Sequence, residues 1–505
     1  MAFCKILPSK RLWFPVNKSK TIFFVFVIVF AITNSCKRDP YIVPASTDYP
    51  ANVAYLMLTK CATTGCHNDA SYQASANLNL SSWSKLFQGS NSGSPVIPYR
   101  ADFSSLMYFV NTYSDLGPSN NPIMPLHADP LSREDVMRLR DWINSGAPDK
   151  SGNVEFADNP DRKKFYVVNQ ACRVVTVFDA QTLLPMRYID ITDATEQTTS
   201  PHQVKISPDG QYWYICYIGG SYIKKFRTSD DSYVGKIWVG NASWNTMAIT
   251  PDGKFMFAVD WSLQGRVVKC NLNTMTMIDS TILNDKPHGS CISPDGKHVY
   301  ITATNANYLY KISVDSLSQP SSYNYVFLDN LGMVQGPKYT PHETVFSPDL
   351  KTYYVSCSGY SNGTMGDPSV KIFNASNDSL IGSVSMNSGA YEMSISANKN
   401  LLFVSSYDGP LFNHYQGRIT VINTLTNTWV QDISTGSQPH GLAVDDINGL
   451  VYVANRNTNS ATPPHHSSLC SGYNGNVVFI DLNTLQLTGK KVEVSNDPYS
   501  VNIRF

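Results

Sequence analysis

The chain has 505 residues, which is too long for one ordinary hydrophobic core and predicts at least two domains. Lysine and arginine number 39, the same as aspartate and glutamate, so the formal net charge is zero and no nucleic-acid-binding surface is expected. Charged residues make up only 15% of the chain, whereas Tyr, Phe, Gly and Pro are abundant, which favours a mainly β fold with short turns.

The first 36 residues have the pattern of a secretory leader. Basic residues precede an apolar run from Thr21 to Ile32, which is shorter than the roughly 20 residues that span a bilayer, although a transmembrane anchor is the alternative interpretation. The segment ends in Ser35-Cys36 and resembles a bacterial lipoprotein signal, which implies export and lipidation of Cys36. We therefore expect residues 1–36 to be a signal peptide, and the mature chain to be lipid-anchored to the outer membrane on its periplasmic or surface face.

The segment CATTGCH, from Cys61 to His67, places two thiols before an imidazole. Covalent haem attachment needs this set, because two thiols form thioethers to the vinyl groups and the adjacent histidine ligates iron. Four residues separate the cysteines here, instead of the more common two. A chance cysteine pair, or a zinc site with two further ligands, is the alternative. The motif thus predicts haem c on Cys61 and Cys66, with His67 as the proximal iron ligand.

The distal iron ligand is expected on a proline-rich loop downstream, since Met-His ligation is usual in electron-transfer cytochromes. Met124 lies between Pro122 and Pro125 in NPIMPLH and is the predicted ligand. His127 is the competing nitrogen ligand. Met107 is the competing sulfur, but its apolar neighbours predict a buried helix face.

Residues 131–148 predict the last helix of this domain. Ser132 and Asp135 form a capping box, apolar residues follow at helical spacing, and Gly146 with Pro148 ends the helix. The order of these motifs resembles the cytochrome c domains fused to larger exported proteins in Planctomycetes and Bacteroidetes. This resemblance implies a small all-α haem domain over residues 48–150, in which the last helix packs against the helix before the haem motif.

Beyond a polar linker at residues 151–162, the chain repeats at about 200, 243, 286, 340, 389 and 438. In each repeat a Pro-Asp-Gly type turn joins two apolar runs, which predicts propeller blades of four strands. Residues 497–505 supply only a first strand and the opening at residue 163 lacks one, so both termini are expected to complete one blade. The repeats resemble the YVTN, or YncE-like, family of exported bacterial propellers, which implies a seven-bladed β-propeller over residues 163–505.

One residue per repeat, seven positions before the turn aspartate or its equivalent, is expected at one mouth of the central channel. These ring residues are His202, Asn245, His288, His342, Tyr391, His440 and Tyr499. Loops expected on the same face carry Cys357, His414, His465, His466 and Cys470.

Three interpretations of the ring stay open. The imidazoles satisfy loop carbonyls, or they form a pocket for a small molecule or peptide, or they hold copper or zinc. In the metal-binding interpretation the ligands are His202, His288, His342, His440, His465 and His466.

The ten cysteines are too sparse for a disulfide scaffold. Most of those in the repeats are expected to be small buried residues on strands. A bridge between Cys357 and Cys470 is not expected, because their repeats are not neighbours.

The sequence contains no nucleophile elbow, phosphate loop or paired-carboxylate signature. The predicted function is electron transfer through haem c, with a redox partner protein or a quinol-linked chain as partner and the propeller as a docking or substrate platform. Two alternatives are an oxidoreductase with its own metal at the histidine ring and a non-enzymatic surface-binding module.

Overall fold

The structure is a computed structural model that describes residues 47–191, 200–317, 323–334, 336, 338–361, 364–407, 416–458, 465 and 468–504. The predicted signal peptide with Cys36, and also His414 and His466, lie outside these residues. Within the described ranges, no helix has both the length and the apolar character needed to cross a bilayer.

A short, mainly helical stretch precedes the β-structure. Its helices are α1 (Ala51–Leu56), α2 (Trp83–Leu86), α3 (Ser105–Val110) and α4 (Arg133–Asn144). A π-helical turn, Met57–Cys61, continues α1 to the first cysteine of the predicted haem motif. Single 3-10 turns lie at Tyr72–Ala74, Ala101–Phe103 and Ser114–Leu116.

The predicted last helix is confirmed as α4. Ser132 Oγ accepts a hydrogen bond from the backbone N–H of Asp135 at 3.2 Å, which caps the first turn. The helix ends at Asn144, shortly before Gly146, whose φ of +107° takes the chain out of helical geometry. Its apolar face is buried and contacts α1, as the sequence predicts.

The remaining chain forms antiparallel sheets. In spatial order, the first sheet contains β28 (Pro498–Arg504), β1 (Lys164–Asn169), β2 (Val174–Asp179) and β3 (Leu184–Asp190). The second has six strands: β4 (Ser200–Ile206), β5 (Tyr212–Arg227), β6 (Tyr233–Ile249), β7 (Phe255–Asp260), β8 (Gly265–Asn271) and β9 (Thr276–Leu283). The third contains β10 (Pro287–Ile292), β11 (His298–Ala303), β12 (Tyr308–Ser313) and β13 (Tyr323–Phe327).

Three more four-stranded sheets complete the propeller. The fourth contains β14 (Pro341–Phe346), β15 (Thr352–Cys357), β18 (Ser369–Asn374) and β19 (Leu380–Ser385), with a small hairpin of β16 (Tyr360–Ser361) and β17 (Thr364–Met365) between β15 and β18 along the chain. The fifth contains β20 (Gly389–Ser396), β21 (Leu401–Tyr407), β22 (Gln416–Asn423) and β23 (Thr428–Ser437). The sixth contains β24 (Pro439–Asp445), β25 (Leu450–Asn455), β26 (Asn474–Asp481) and β27 (Gln486–Asn496).

The predicted closure by both termini is confirmed. The C-terminal strand β28 pairs with β1, and Val501 lies opposite Val167 in that ladder. This pairing leaves neither terminal strand as a free sheet edge.

Counted as hydrogen-bonded sheets, the propeller has six large units where the sequence predicts seven. The difference lies in the six-stranded sheet. There β4 pairs with the first half of β5, the second half of β5 pairs with the first half of β6, and the second half of β6 pairs with β7. The chain bends at Gly219 and Gly240, with φ of +76° and +80°, without leaving extended structure, so strands from two repeats share one sheet.

The innermost strands surround the central channel. In order around the axis, the strands that contact their neighbours are β28, β4, β6, β10, β14, β20 and β24, and the last contacts the first. Apolar clusters of buried strand residues lie between neighbouring sheets, and a further one lies within the six-stranded sheet. This packing positions the start of every innermost strand at one end of the channel.

The helical stretch packs on the outer strand β3. Ser94 Oγ donates to the carbonyl of Pro185 at 2.7 Å, and the ring of Phe103 stacks on that of Tyr188 at 4.2 Å. In the predicted linker Phe156 is only 5% exposed and meets the ring of Phe87 edge-on. Residues 45–505 accordingly form one compact unit.

The cysteine pairing requires a correction. Cys470 forms a disulfide with Cys172, with Cα atoms 5.5 Å apart, whereas the sequence predicts only that most cysteines of the repeats are small buried strand residues and names no bridge. Ring closure brings the turn between β1 and β2 beside the long insertion after β25, and 298 residues separate the two cysteines along the chain. Cys357 is free and fully buried on β15, as expected of an unpaired cysteine.

Candidate functional site

The predicted haem motif forms one organised loop. The backbone N–H of His67 donates to the carbonyl of Cys61 at 3.2 Å, and Ser71 Oγ donates to the carbonyl of Cys66 at 2.6 Å. His67 Nδ1 donates to the carbonyl of Leu78 at 3.1 Å. That bond fixes the ring orientation and leaves Nε2 with the lone pair that a metal needs.

The protonation states of His67 and Cys61 in this loop favour a role in holding a cofactor over a role as a catalytic nucleophile. Burial lowers the pKa of His67, so the imidazole is neutral near pH 7. Burial also raises the pKa of Cys61 to about 12, which disfavours a reactive thiolate. Cys61 and Cys66 are both free and half-buried.

A zinc site at this loop receives no support. Among the residues that the structure describes, only one group of three or more His, Cys, Asp or Glu side chains has its ligand atoms within 4.8 Å of one another. That group lies in the propeller and contains neither Cys61, Cys66 nor His67.

The three candidates for the distal ligand differ in environment. Met124 is half-buried on the loop after α3, and its backbone N–H donates to the carbonyl of Phe109 at 2.7 Å. Met107 is buried inside α3, as the apolar pattern predicts. His127 is exposed. Met124 stays the predicted distal ligand.

The ring residues of the propeller converge at one end of the channel. The ring centroids of His288 and His342 are 3.9 Å apart, and those of His440 and Tyr499 are 3.8 Å apart. His202 lies 4.1 Å from Tyr499, and Tyr391 lies 5.2 Å from His342. The common position deduced from the repeats thus corresponds to one place in the fold.

A break in strand register marks this position in every innermost strand. One extra residue interrupts the ladder between Pro201 and Val204, Trp244 and Thr246, Pro287 and Ser290, Pro341 and Thr344, Ala390 and Met393, Pro439 and Leu442, and Pro498 and Ser500. Bulges of this kind redirect side chains that would otherwise alternate between the two faces of a strand. Consecutive residues such as His342 and Glu343 can therefore serve the same site.

Three of the four ring histidines have structural hydrogen bonds. His288 Nδ1 donates to the carbonyl of His342, and His440 Nδ1 donates to the carbonyl of Tyr499, each at 3.1 Å. His202 Nδ1 lies 3.0 Å from Gln170 Nε2. These contacts match the interpretation in which imidazoles satisfy carbonyls and amides of neighbouring repeats.

His342 is different. By analogy with His288 and His440, His342 Nδ1 would donate to the carbonyl of the ring residue in the next repeat, Tyr391. That carbonyl accepts a hydrogen bond from Ser356 Oγ. His342 Nδ1 and Glu343 Oε1 are buried and have no hydrogen-bond partner in the described part of the chain. Together with His288 they form the group whose ligand atoms lie within 4.8 Å of one another.

Burial dominates the electrostatics of this channel mouth. It lowers the pKa of His288 to about 4, and it lowers the pKa of His202, His342 and His440 well below the usual histidine value. It raises the pKa of Glu343 to about 7, and burial together with the nearby Glu343 carboxyl raises the pKa of Glu392 to about 8. Metal ions bind the neutral imidazole, which burial favours, and the ionised carboxylate, which burial disfavours, so a cation bound here would release the proton of a protonated carboxyl.

His465, in the last insertion, is not part of this buried group. His465 is exposed, its ring lies 5.5 Å from that of Phe109 in α3, and its backbone N–H donates to Glu493 Oε2. Glu343 and Glu392 are not among the candidates that the sequence predicts. Each directly follows a ring residue, so reading one position further in every repeat is the signal that would have found them.

No protein-family model matches the chain, and no curated protein matches it either. Among solved structures, hydrazine synthase of Kuenenia stuttgartiensis is similar with a TM-score of 0.45 and 16% identity, over 62% of this chain and 90% of that chain. Dihydro-heme d1 dehydrogenase NirN, in complex with DHE, is similar with a TM-score of 0.46 and 12% identity, over 82% of this chain and 94% of that chain. At these values the likeness carries no argument about the chemistry of either site.

Proposed function

We propose that this chain is an exported, lipid-anchored c-type cytochrome that transfers electrons, with the propeller as a docking or substrate platform. The observation that carries the proposal is the His67 ring, held at Nδ1 by the Leu78 carbonyl beside two unbridged cysteines. This is the arrangement that an axial histidine and two thioether links require.

The residues present fit haem c. When bound, the haem supplies an iron that changes oxidation state by one electron. Cys61 and Cys66 would hold the porphyrin, and His67 and Met124 would ligate its iron. The Tyr49 hydroxyl is buried near Cys61 and has no hydrogen-bond partner among the described residues. It is therefore an unused hydrogen-bond donor beside the predicted haem motif.

Contacts of the Met124 loop with the propeller support the role of a platform. Asn120 Nδ2, on that loop, donates to the carbonyl of His465 in the last insertion at 3.3 Å. Phe109, whose carbonyl accepts the N–H of Met124, lies against the ring of His465. We infer that a redox partner protein or a quinol-linked chain docks where the Met124 loop meets the last insertion of the propeller. We also infer that Cys36 anchors the protein in the outer membrane.

The decisive experiment is to mature the full chain in a host that assembles c-type cytochromes. We expect a reduced absorption spectrum and a pyridine derivative typical of thioether-bound haem, with porphyrin retained after denaturation. Cys61→Ala and Cys66→Ala should each lose one covalent link, whereas Cys291→Ser, a half-buried propeller cysteine, should leave the spectrum unchanged. Colourless wild-type protein from such a host would refute the proposal.

Met124→Ala tests the distal ligand. Loss of a thioether sulfur should abolish the weak long-wavelength band of methionine-ligated ferric haem and lower the reduction potential by roughly 0.1 V or more. His127→Ala is the matched control on the same loop and should change neither. If His127→Ala alters the spectrum and Met124→Ala does not, the imidazole is the ligand.

We also infer that the six-stranded sheet comprises two blades of a seven-bladed propeller. Seven innermost strands contact one another around the axis, and each of them carries the same register break. An experimental structure showing six innermost strands would contradict this count.

A further inference from the structure

The channel mouth contains a second set of ligand atoms, remote in sequence from the haem motif. His288, His342 and Glu343 are 3%, 9% and 8% exposed, and one ligand atom from each lies within 4.8 Å of the others. His288 Nδ1 is 3.6 Å from Glu343 Oε1. All three residues belong to the neighbouring strands β10 and β14.

Two of these atoms have no partner within the described ranges. Buried polar groups are nearly always hydrogen-bonded, and an unsatisfied one is unfavourable. His342 Nδ1 and Glu343 Oε1 are both buried and both unsatisfied. A nitrogen lone pair and a carboxylate oxygen that lie together can both be satisfied by one cation.

Gly289 permits the two strands to approach closely enough for this arrangement. A Cβ at position 289 would lie 2.1 Å from the carbonyl oxygen of His342 and 2.9 Å from the Cα of Glu343. Any side chain there would therefore push β14 away from β10 and separate His288 from the other two groups.

The donor set selects the class of ion. Two imidazoles and one carboxylate suit first-row transition metals, whereas calcium takes six to eight oxygen ligands. Three protein ligands on a zinc ion leave a fourth position for water or a small ligand.

We propose that His288, His342 and Glu343 bind one divalent first-row transition-metal ion at the channel mouth, with an open coordination position for water or a small ligand from the channel. The other ring histidines, His202 and His440, do not belong to the group of described residues whose ligand atoms lie within 4.8 Å of one another. Glu392 on β20 is a second carboxyl, close enough to interact electrostatically with Glu343 and His288.

Zinc is the probe for the test. The full chain is stripped with a chelator, titrated with zinc by calorimetry, and analysed for zinc by mass spectrometry after dialysis. We expect about one zinc per chain, with affinity lowered more than about 100-fold by His342→Ala and by Glu343→Gln. His202→Ala, a ring histidine of similar burial, should bind zinc as the wild type does.

Two comparisons keep the result interpretable if His342→Ala unfolds. Glu343→Gln preserves the shape of the side chain but replaces the carboxylate with an uncharged amide, and zinc should raise the melting temperature of the wild type but not of this variant. Gly289→Ala should lose zinc. Gly441→Ala is the matched control, because a Cβ at position 441 would meet the Tyr499 carbonyl oxygen as one at position 289 meets that of His342, and this variant should still bind zinc.

Absence of zinc from the wild type, or unchanged zinc affinity in Glu343→Gln, would overturn the proposal. These measurements count zinc and not haem iron. Failure of the metal site is therefore distinguishable from failure of haem attachment.

Discussion

At the scale of single residues, the buried ring histidines link stability to pH. His440 packs against Tyr499 and donates from Nδ1 to its backbone carbonyl. Burial first, and then the nearby Arg456, His202 and His288, hold its pKa well below the usual histidine value. The folded state therefore keeps this imidazole neutral at a pH where the unfolded chain binds a proton.

We predict that His440 contributes to loss of stability in acid. Because its pKa is lower when folded, its contribution is fully present above about pH 6.5 and is lost as the pH falls, by up to about 1.4 kcal/mol per pH unit. His440→Gln removes the titration, so the free energy of unfolding should fall less between pH 7 and pH 5 than in the wild type. Urea unfolding in the presence of chelator measures this, and parallel pH profiles for the two proteins would contradict it.

At the scale of elements, the hairpin between the first two strands of a repeat follows one pattern. Ser207 and Ser293 each donate a side-chain hydrogen bond to the aspartate two residues later, and Gly210 and Gly296 follow with positive φ. In the fourth sheet the glycine is replaced by Leu350, which has a φ of +60° and is 55% exposed. A leucine in this conformation is strained and buries little apolar surface in return.

We predict that Leu350→Gly stabilises the protein. Removing the strain of the left-handed conformation should raise the free energy of unfolding by about 1–2 kcal/mol. The greater conformational freedom of glycine in the unfolded chain should lower it by about 0.4–1 kcal/mol. The net effect should be a gain of roughly 0.5–1 kcal/mol in urea unfolding. Leu350→Ala keeps the strain and is the control, so an equal gain from both variants would show that the exposed side chain, and not the backbone, was responsible.

At the scale of the whole molecule, the Cys172–Cys470 disulfide joins three regions. It connects the turn after β1 with the last insertion, and Ile97 and Phe103 of the helical stretch pack against it. The bond therefore reinforces both the ring closure and the attachment of the helical stretch to β3.

We predict that Cys172→Ser lowers the free energy of unfolding by about 2–4 kcal/mol. The double variant Cys172→Ser/Cys470→Ser should lose about the same as the single one, because both remove one bond. Reductant should destabilise the wild type and leave the double variant unchanged. Alkylation of Cys172 in unreduced, unfolded wild-type protein would contradict the pairing.

Features that depend on short-range patterns were predictable from the sequence alone. The capped helix α4, the hairpin turns, the closure of β28 on β1 and the common position of the ring residues each follow from spacing within one repeat or one motif. Composition and periodicity determine such features because their hydrogen bonds join residues close in sequence, or residues at equivalent places in a repeat.

Only the tertiary structure decided the rest. Glu343 joins His288 and His342 because a register break turns two consecutive residues toward one site, whereas plain strand alternation would separate them. The disulfide joins residues 298 positions apart, and the six-stranded sheet arises because extended backbone continues through the bends at Gly219 and Gly240. The place of Glu343 directly after a ring residue identifies it as a candidate in the sequence, but its approach to His288, like the other two features, depends on how strands meet in space.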